Sequence, residues 1–384
     1  MKNRFEKLTV ILFCSLLALL SVAFLVMPDR AFSEQENRNL QQSPELTKDS
    51  FFSGQFAKDI NVYFADQFPL RDLFVRIKSG SELAFLKGEN NGVLYSKDQL
   101  AVKDFMAYRS IAQAPIETDR IYLDSVRAQT EAVERLGQTL DVPLVTVLPP
   151  RTIDIADSVF SYDRPDGDAV FDIFDEVLTE KAGYIDVLGL LRPKYESGEY
   201  VYYKTDHHWT TLGAYYVYCE IMTQLGKADS IIPKDEFEIE YVLDFSGTTA
   251  GKASFPIYAK DTLELWHLPD DNEYLINSDG VDENEFYERE FLDKSDKYSV
   301  FFGGTKAVTT ITLPDADRET LLIAKDSFAN SLIPFLAREF DIVALNLSSS
   351  TFISTFAEVY EADAVLVVFN VENIITTGHL GKLK

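Results

Sequence analysis

Three segments near the C-terminus restrict the fold more than anything else in the chain. Leu321-Leu322-Ile323-Ala324, Asp341-Ile342-Val343-Ala344-Leu345 and Ala364-Val365-Leu366-Val367-Val368-Phe369 are apolar on nearly every residue. Helical patterns at 328–340 and 353–360 separate them. A strand with one wet face alternates apolar and polar residues, so unbroken apolar strands need cover on both faces. The β-α-β-α-β order therefore predicts an α/β fold built on a mainly parallel sheet. Upstream, a helix over 117–140 feeds the apolar run 142–148, which Pro149-Pro150 ends. A helix near 170–181 leads to a strand at Tyr184-Ile185-Asp186-Val187. Sites in such sheets lie at the carboxyl ends of the strands.

The N-terminus is built differently. Lys2, Arg4 and Lys7 precede Leu8 to Met27, twenty residues without a charge. About 20 apolar residues span a bilayer as a helix, and the basic flank keeps the short N-terminus inside. The run exceeds the usual signal-peptide core of about 7–15 residues and lacks a clean cleavage site. The expectation is a single-pass signal anchor with the body outside the cytoplasm; a cleaved signal peptide is the alternative. The expected organisation is a cytoplasmic tip and anchor over 1–28, a linker and helical segment over 29–90, and a main domain over 91–384. Phe52, Phe56, Ile60 and Phe64 mark one helical face in the middle segment. Residues 235–318 read as a β-rich insertion, with short β-like pieces such as 298–302 and an acidic stretch from Asp270 to Asp296.

Composition excludes one class of partner. With 62 acidic against 36 basic residues and a formal net charge of -26, the surface repels nucleic acid. Cys14 lies in the apolar run and Cys219 on a helical pattern, so no disulfide framework forms.

Two short motifs carry chemistry. Lys204-Thr205-Asp206-His207-His208-Trp209-Thr210 holds two of the four histidines. If the chain stays extended there, Asp206 and His208 share one face and His207 takes the other. A carboxylate beside an imidazole orients a general base; a structural metal or a buried histidine pair are the alternatives. The second motif, Lys325-Asp326-Ser327, lies just after a strand and at a helix start. A serine there meets unsatisfied backbone N–H groups that stabilise an oxyanion; equally, Asp326 or Ser327 is an N-cap. Asn370 ends another strand on the same edge, as an oxyanion donor or as a turn cap. Arg151 follows Pro149-Pro150, either to bind an anionic sugar or in a surface ion pair.

Asp206-His207-His208-Trp209 resembles the DHHW proteins, grouped with the SGNH-type acyl hydrolases. It is also similar to the Asp-x-His-Trp motif of the periplasmic proteins that acetylate alginate. Glu36-Asn37-Arg38, Ser53-Gly54, Asp66-x-Phe68-Pro69-x-Arg71-Asp72, Asn91-Gly92-Val93, Phe245-x-Gly247 and Lys325-Asp326-Ser327 extend the resemblance over most of the chain after the anchor. It implies an SGNH-like three-layer fold with a circularly permuted motif order, the Asp-His pair preceding the serine. It further implies Ser327 as nucleophile, His208 as base and Asp206 as its orienting carboxylate. On the residues themselves, His207 is expected as a supporting residue, and Trp209 to pack the turn or flank the cleft. The chain departs from ordinary SGNH enzymes in having Lys325-Asp326 before the serine and one residue between acid and base. Asn370 and Gly247 are the expected oxyanion donors.

The expected function is an O-acyl (acetyl) transferase or esterase acting on a surface or exported polysaccharide, without a cofactor. A transferase with one membrane span needs a membrane partner to supply the acyl group. Two other readings stand: a non-catalytic glycan-binding module, and a metal-dependent phosphoesterase on His207 and His208. The second lacks a further ligand set, since His267 and His379 have no matching surroundings.

Overall fold

The computed structural model describes residues 2–33, 38–96, 98–103, 117–156, 159, 167–254, 259–269, 271–283, 285–314 and 316–383. Glu36, Asn37 and Asp270, named above, lie outside these residues. The chain divides into two units: Met1–Asn91 with Gly251–Ile257, and Gly92–Ala250 with Tyr258–Lys384.

The first unit begins with α1 (Lys2–Val26), a helix long and apolar enough to cross a membrane. Phe32–Ser33 then pairs antiparallel with Arg38–Asn39. Two amphipathic helices follow, α2 (Gln55–Asp66) and α3 (Arg71–Ala84). Pro69 and a left-handed Leu70 (φ 59) separate them, because proline clashes with continuation of the preceding helix. The unit is tied together by polar groups. Arg38 grips Asp66 through two bonds of 2.6 and 3.0 Å, and the Gln41 N–H donates to the same carboxylate at 2.9 Å. Arg30 pairs with Asp72, and the Gln67 amide donates to the carbonyls of Arg30 and Gln41. The Asn90 amide donates to Ser79 Oγ. These bonds give Arg38, Asp66 and Asp72 structural work inside the unit.

The second unit holds the predicted sheet. In chain order its strands and helices are β1 (Val93–Tyr95), β2 (Ala101–Lys103), α4 (Glu117–Thr139), β3 (Leu144–Val147), α5 (Gly167–Val177), β4 (Tyr184–Ile185), α6 (Val187–Glu196) and α7 (Thr211–Gln224). Then come β5 (Glu238–Phe245), β6 (Asp261–His267), β7 (Leu275–Ser278), β8 (Val281–Glu283), β9 (Val308–Thr312) and β10 (Thr320–Lys325). The unit closes with β11 (Asp341–Asn346), α8 (Ile353–Val359), β12 (Ala364–Val368) and α9 (Val371–Thr377).

Eight strands form one sheet in the order β8-β7-β9-β11-β10-β12-β3-β4. The five from β11 to β4 are parallel, with β10 central between β11 and β12. Registers Lys325↔Asn346, Lys325↔Val368, Val368↔Val147 and Val147↔Ile185 bring their carboxyl ends to one edge. All of β12 is buried, as continuous apolar strands require. α4 packs with α5 and α9, while α7 packs with α6. This mixed α/β architecture with a large, mostly parallel sheet is SGNH-like.

Part of the expected insertion completes this sheet. β7, β8 and β9 extend it antiparallel from β11, and the alternating burial of β7 and β9 fits strands with one covered face. Only β5 and β6 form a separate two-stranded ribbon. Two further expectations differ. Residues 298–302 contain a 3-10 turn, Lys297–Val300, in place of a strand. The helix expected over 328–340 is a 3-10 turn, Ser327–Ser331, followed by the short helix Ile333–Leu336. Pro334, lacking an N–H, sits at the start of that second piece, where an α-helix tolerates it.

Candidate active site

The serine turn is built by the residue before it. Past the end of β10, the Asp326 N–H donates to Val368 O at 3.0 Å. The Asp326 carboxylate then accepts from the Phe328 N–H (3.0 Å), the Asn370 N–H (2.7 Å) and the Asn373 amide (2.7 Å). One buried side chain thereby caps the turn and joins it to the end of β12. Burial raises the Asp326 carboxyl above its usual range, against the opposing pull of those donors. The Phe328 N–H is engaged by the cap, whereas the Ser327 N–H has no hydrogen-bond partner among the described residues.

The histidine motif reaches the serine from a bend. Residues 204–208 leave the extended conformation, and an isolated bridge links Tyr202 to Trp209 across the turn. Asp261 holds the bend: its carboxylate accepts from the Tyr200 hydroxyl, the N–H of Lys204 (2.9 Å) and the N–H of Thr205 (2.7 Å). Thr210 caps α7 through a bond from the Gly213 N–H. The assumption of an extended chain therefore fails, yet Asp206 and His208 meet. The His208 N–H donates to Asp206 Oδ1 at 3.1 Å, folding the carboxylate back over the imidazole.

The result is a relay. Asp206 Oδ1 lies 2.6 Å from His208 Nδ1, and His208 Nε2 lies 2.8 Å from Ser327 Oγ. Asp206 Oδ2 accepts from the N–H and hydroxyl of Thr248 at 2.9 and 3.0 Å. Asp206 and His208 are 1% and 4% exposed. Burial would raise the Asp206 carboxyl, but the His207 and His208 imidazoles and the bonds from His208 and Thr248 outweigh it and hold it well below its usual range. His207 packs against His208 with ring centres 3.9 Å apart and planes tilted by 37°. Burial and repulsion from His208 and Lys103 hold its pKa well below the ordinary value, although 28% of its side chain reaches solvent.

Tyr298 was not singled out by the sequence. Its ring stacks on His208 with centres 3.8 Å apart and planes 6° apart. Its hydroxyl donates to Ser331 Oγ at 3.1 Å and to Ser327 O at 3.3 Å. Phe328 contacts the imidazole at 4.7 Å, so rings bracket the base. Thr248 and Asp261 are equally unmarked in sequence, because acceptors and hydroxyls of this kind are common in any chain; Asp326 is the N-cap that the sequence offered.

Four of the expected residues take structural places, which for Asn370 is the cap and for Arg151 the ion pair given above as alternatives. Trp209 is fully buried and donates to Phe328 O (3.1 Å) and Ser331 Oγ (3.0 Å), so it braces the serine turn from within and does not face a ligand. The Asn370 amide donates to Pro149 O (2.8 Å) and Pro150 O (3.3 Å) while its oxygen caps α9; it clamps two strand ends and has no donor left for an oxyanion. The Gly247 N–H donates to Thr205 Oγ1 at 2.8 Å. A Cβ on Gly247 would lie 2.3 Å from Asp206 Cβ, so glycine is there for close approach. Arg151 makes a bidentate pair with Asp154 at 2.6 and 2.8 Å, which fills its carboxylate-binding edge. Arg151, His207, Asn370 and Thr249 line a narrow, water-sized pocket. The buried Thr249 hydroxyl has no hydrogen-bond partner among the described residues.

Asp206, His207 and His208 bring their ligand atoms within 4.8 Å of one another. Both ring nitrogens of His208 and both oxygens of Asp206 are engaged in the relay, so metal binding there would dismantle it.

A family model described as DHHW protein matches residues 157–346. Among solved structures, a DHHW family protein from Eubacterium siraeum is 18% identical, with a TM-score of 0.57, over 67% of this chain and 88% of that one. PatB1 from Bacillus cereus, solved with a sulfonyl adduct, is 17% identical, with a TM-score of 0.58, over 75% of this chain and 98% of that one. No curated protein matches significantly.

Proposed function

Residues 157–346 belong to the DHHW family, and from that premise we propose an extracytoplasmic, membrane-tethered serine O-acyltransferase or esterase, acting on the acetyl groups of a polysaccharide. The observation that carries this reading is the Asp206–His208–Ser327 relay, with links of 2.6 and 2.8 Å at the carboxyl edge of the parallel strands. A carboxylate fixes the tautomer of a buried imidazole, whose other nitrogen is within reach of an accessible hydroxyl.

In this mechanism, His208 Nε2 takes the Ser327 proton as Oγ bonds to the acyl carbonyl carbon. The carbonyl oxygen becomes an oxyanion, and the Ser327 N–H is the donor for it. Collapse expels the donor alcohol, which leaves with the proton from His208. A sugar hydroxyl, or water, then attacks the acyl-enzyme while His208 accepts its proton. The second collapse releases the new ester or acetate, and the proton returns to Ser327. Asp206 stays ionised and stabilises the imidazolium at each stage. The acetyl group is inferred from the motif's resemblance to the alginate-acetylating proteins, and a single span calls for a membrane partner as acyl donor.

The test is turnover of 4-nitrophenyl acetate by the full chain in detergent. Ser327→Ala should lower it about 10³–10⁴-fold, and a sulfonyl fluoride should modify the wild type at Ser327, read by mass spectrometry. Full turnover by Ser327→Ala, or modification elsewhere, refutes the proposal.

A further inference from the structure

The first unit has its polarity reversed. In α2 and α3 the only buried residues are polar, Asp66 and Ser79. Arg38 and Asn90 satisfy them. Several large apolar side chains point outward instead: Phe64, Leu73, Phe74, Ile77 and Phe85 are between 43% and 88% exposed. Leu73 and Phe74 lie one turn before Ile77, and Phe85 follows eight residues on as the C-cap, so the four share one stripe along the helix. A helix in water places that stripe against a core.

We propose that this outward face of α2 and α3 lies in the headgroup–acyl boundary of the membrane that α1 crosses. The proposal rests on α1 being retained as the anchor. Its observation is continuity: Phe24, near the end of α1, packs on Tyr63 and Phe64 of α2, with ring centres 5.8 and 5.2 Å apart. The reversed face therefore starts where the span ends. Its composition suits that depth, since aromatic rings and an apolar stripe partition into the interface. Charge permits it too. Residues 29–91 carry 8 basic and 10 acidic side chains, whereas the whole chain carries a net -26, so an anionic surface repels this segment little.

The experiment uses the wild-type full chain in phosphatidylcholine–phosphatidylglycerol vesicles. A phosphatidylcholine with a diazirine near the glycerol end of its acyl chain is the probe. Illumination and peptide mapping should find lipid adducts on α1 and also on the peptides holding Phe64, Phe74 and Ile77. Leu73→Glu with Ile77→Glu should reduce adducts on α3 several-fold and leave those on α1 unchanged. Adducts confined to α1, including the case where α2 and α3 cross-link to a second copy instead, overturn the proposal. So do α3 adducts that persist undiminished in the double variant. A chain with no adducts on α1 refutes the anchor itself, a separate result.

Discussion

The two units obey opposite solvation rules. In the second, Leu322, Ile323, Leu366 and Val367 are at most 1% exposed, and the buried Asp206 is held in a network with His208 and Thr248. In the first, α2 and α3 keep Asp66 and Ser79 inside and hold Phe64, Leu73, Phe74 and Ile77 outside. The same forces act in both, so the difference lies in the solvent each unit is built to meet. Water drives apolar groups inward; a bilayer boundary does not.

The largest test of this contrast is kinetic. Asp206→Asn, which puts the wrong tautomer on His208, should lower ester turnover about 10⁴-fold, whereas Leu73→Glu with Ile77→Glu should leave turnover of a soluble ester unchanged. A large loss in the second variant would mean that the units are not chemically separable. Next comes packing. Leu366→Ala should destabilise the second unit by about 2–5 kcal/mol, measured by denaturant unfolding in detergent. Ile77→Ala, removing an outward side chain, should change stability by no more than about 0.5 kcal/mol.

The smallest effects are in pH, and they fall at opposite ends of the scale. The bond from Arg38 outweighs burial and holds the Asp66 carboxyl below 3.8. A depressed carboxyl contributes stability that is present above 3.8 and is lost as pH falls through its folded value. Hydrogen exchange at Gln41 should therefore accelerate in acid, and Arg38→Gln should weaken that dependence. Lys325, buried and donating to Asn330 at 2.7 Å, is pushed down from 10.5 to about 8 by burial. Below pH 8 the fold holds an unfavourable ammonium, and stability rises as pH climbs from about 8 to 10.5. Lys325→Met should flatten that alkaline rise; an unchanged profile would assign it to another group.

Local pattern reached a long way into this protein. Continuous apolar runs imply a covered parallel sheet, because any other placement leaves apolar faces wet. An aspartate two residues from a histidine, and a serine just past a strand, are each local signals. Their meeting was foreseen for the wrong reason, since the bend at 204–208, not an extended strand, brings Asp206 onto His208. The 3-10 turns went unread because they have no apolar period of their own.

What the sequence determined alone were the alternating strands and helices, the charge-free run from Leu8 to Met27 and the identity of the Asp206, His208 and Ser327 side chains. Tertiary structure decided the rest. It laid Tyr298 over the imidazole, set Asp261 under the bend, closed Asn370 onto Pro149 and Arg151 onto Asp154, and turned the α3 stripe outward. Periodicity tells a helix that it has an apolar face. Which medium that face meets depends on what lies beside it in space, and for α2 the neighbour is the end of α1.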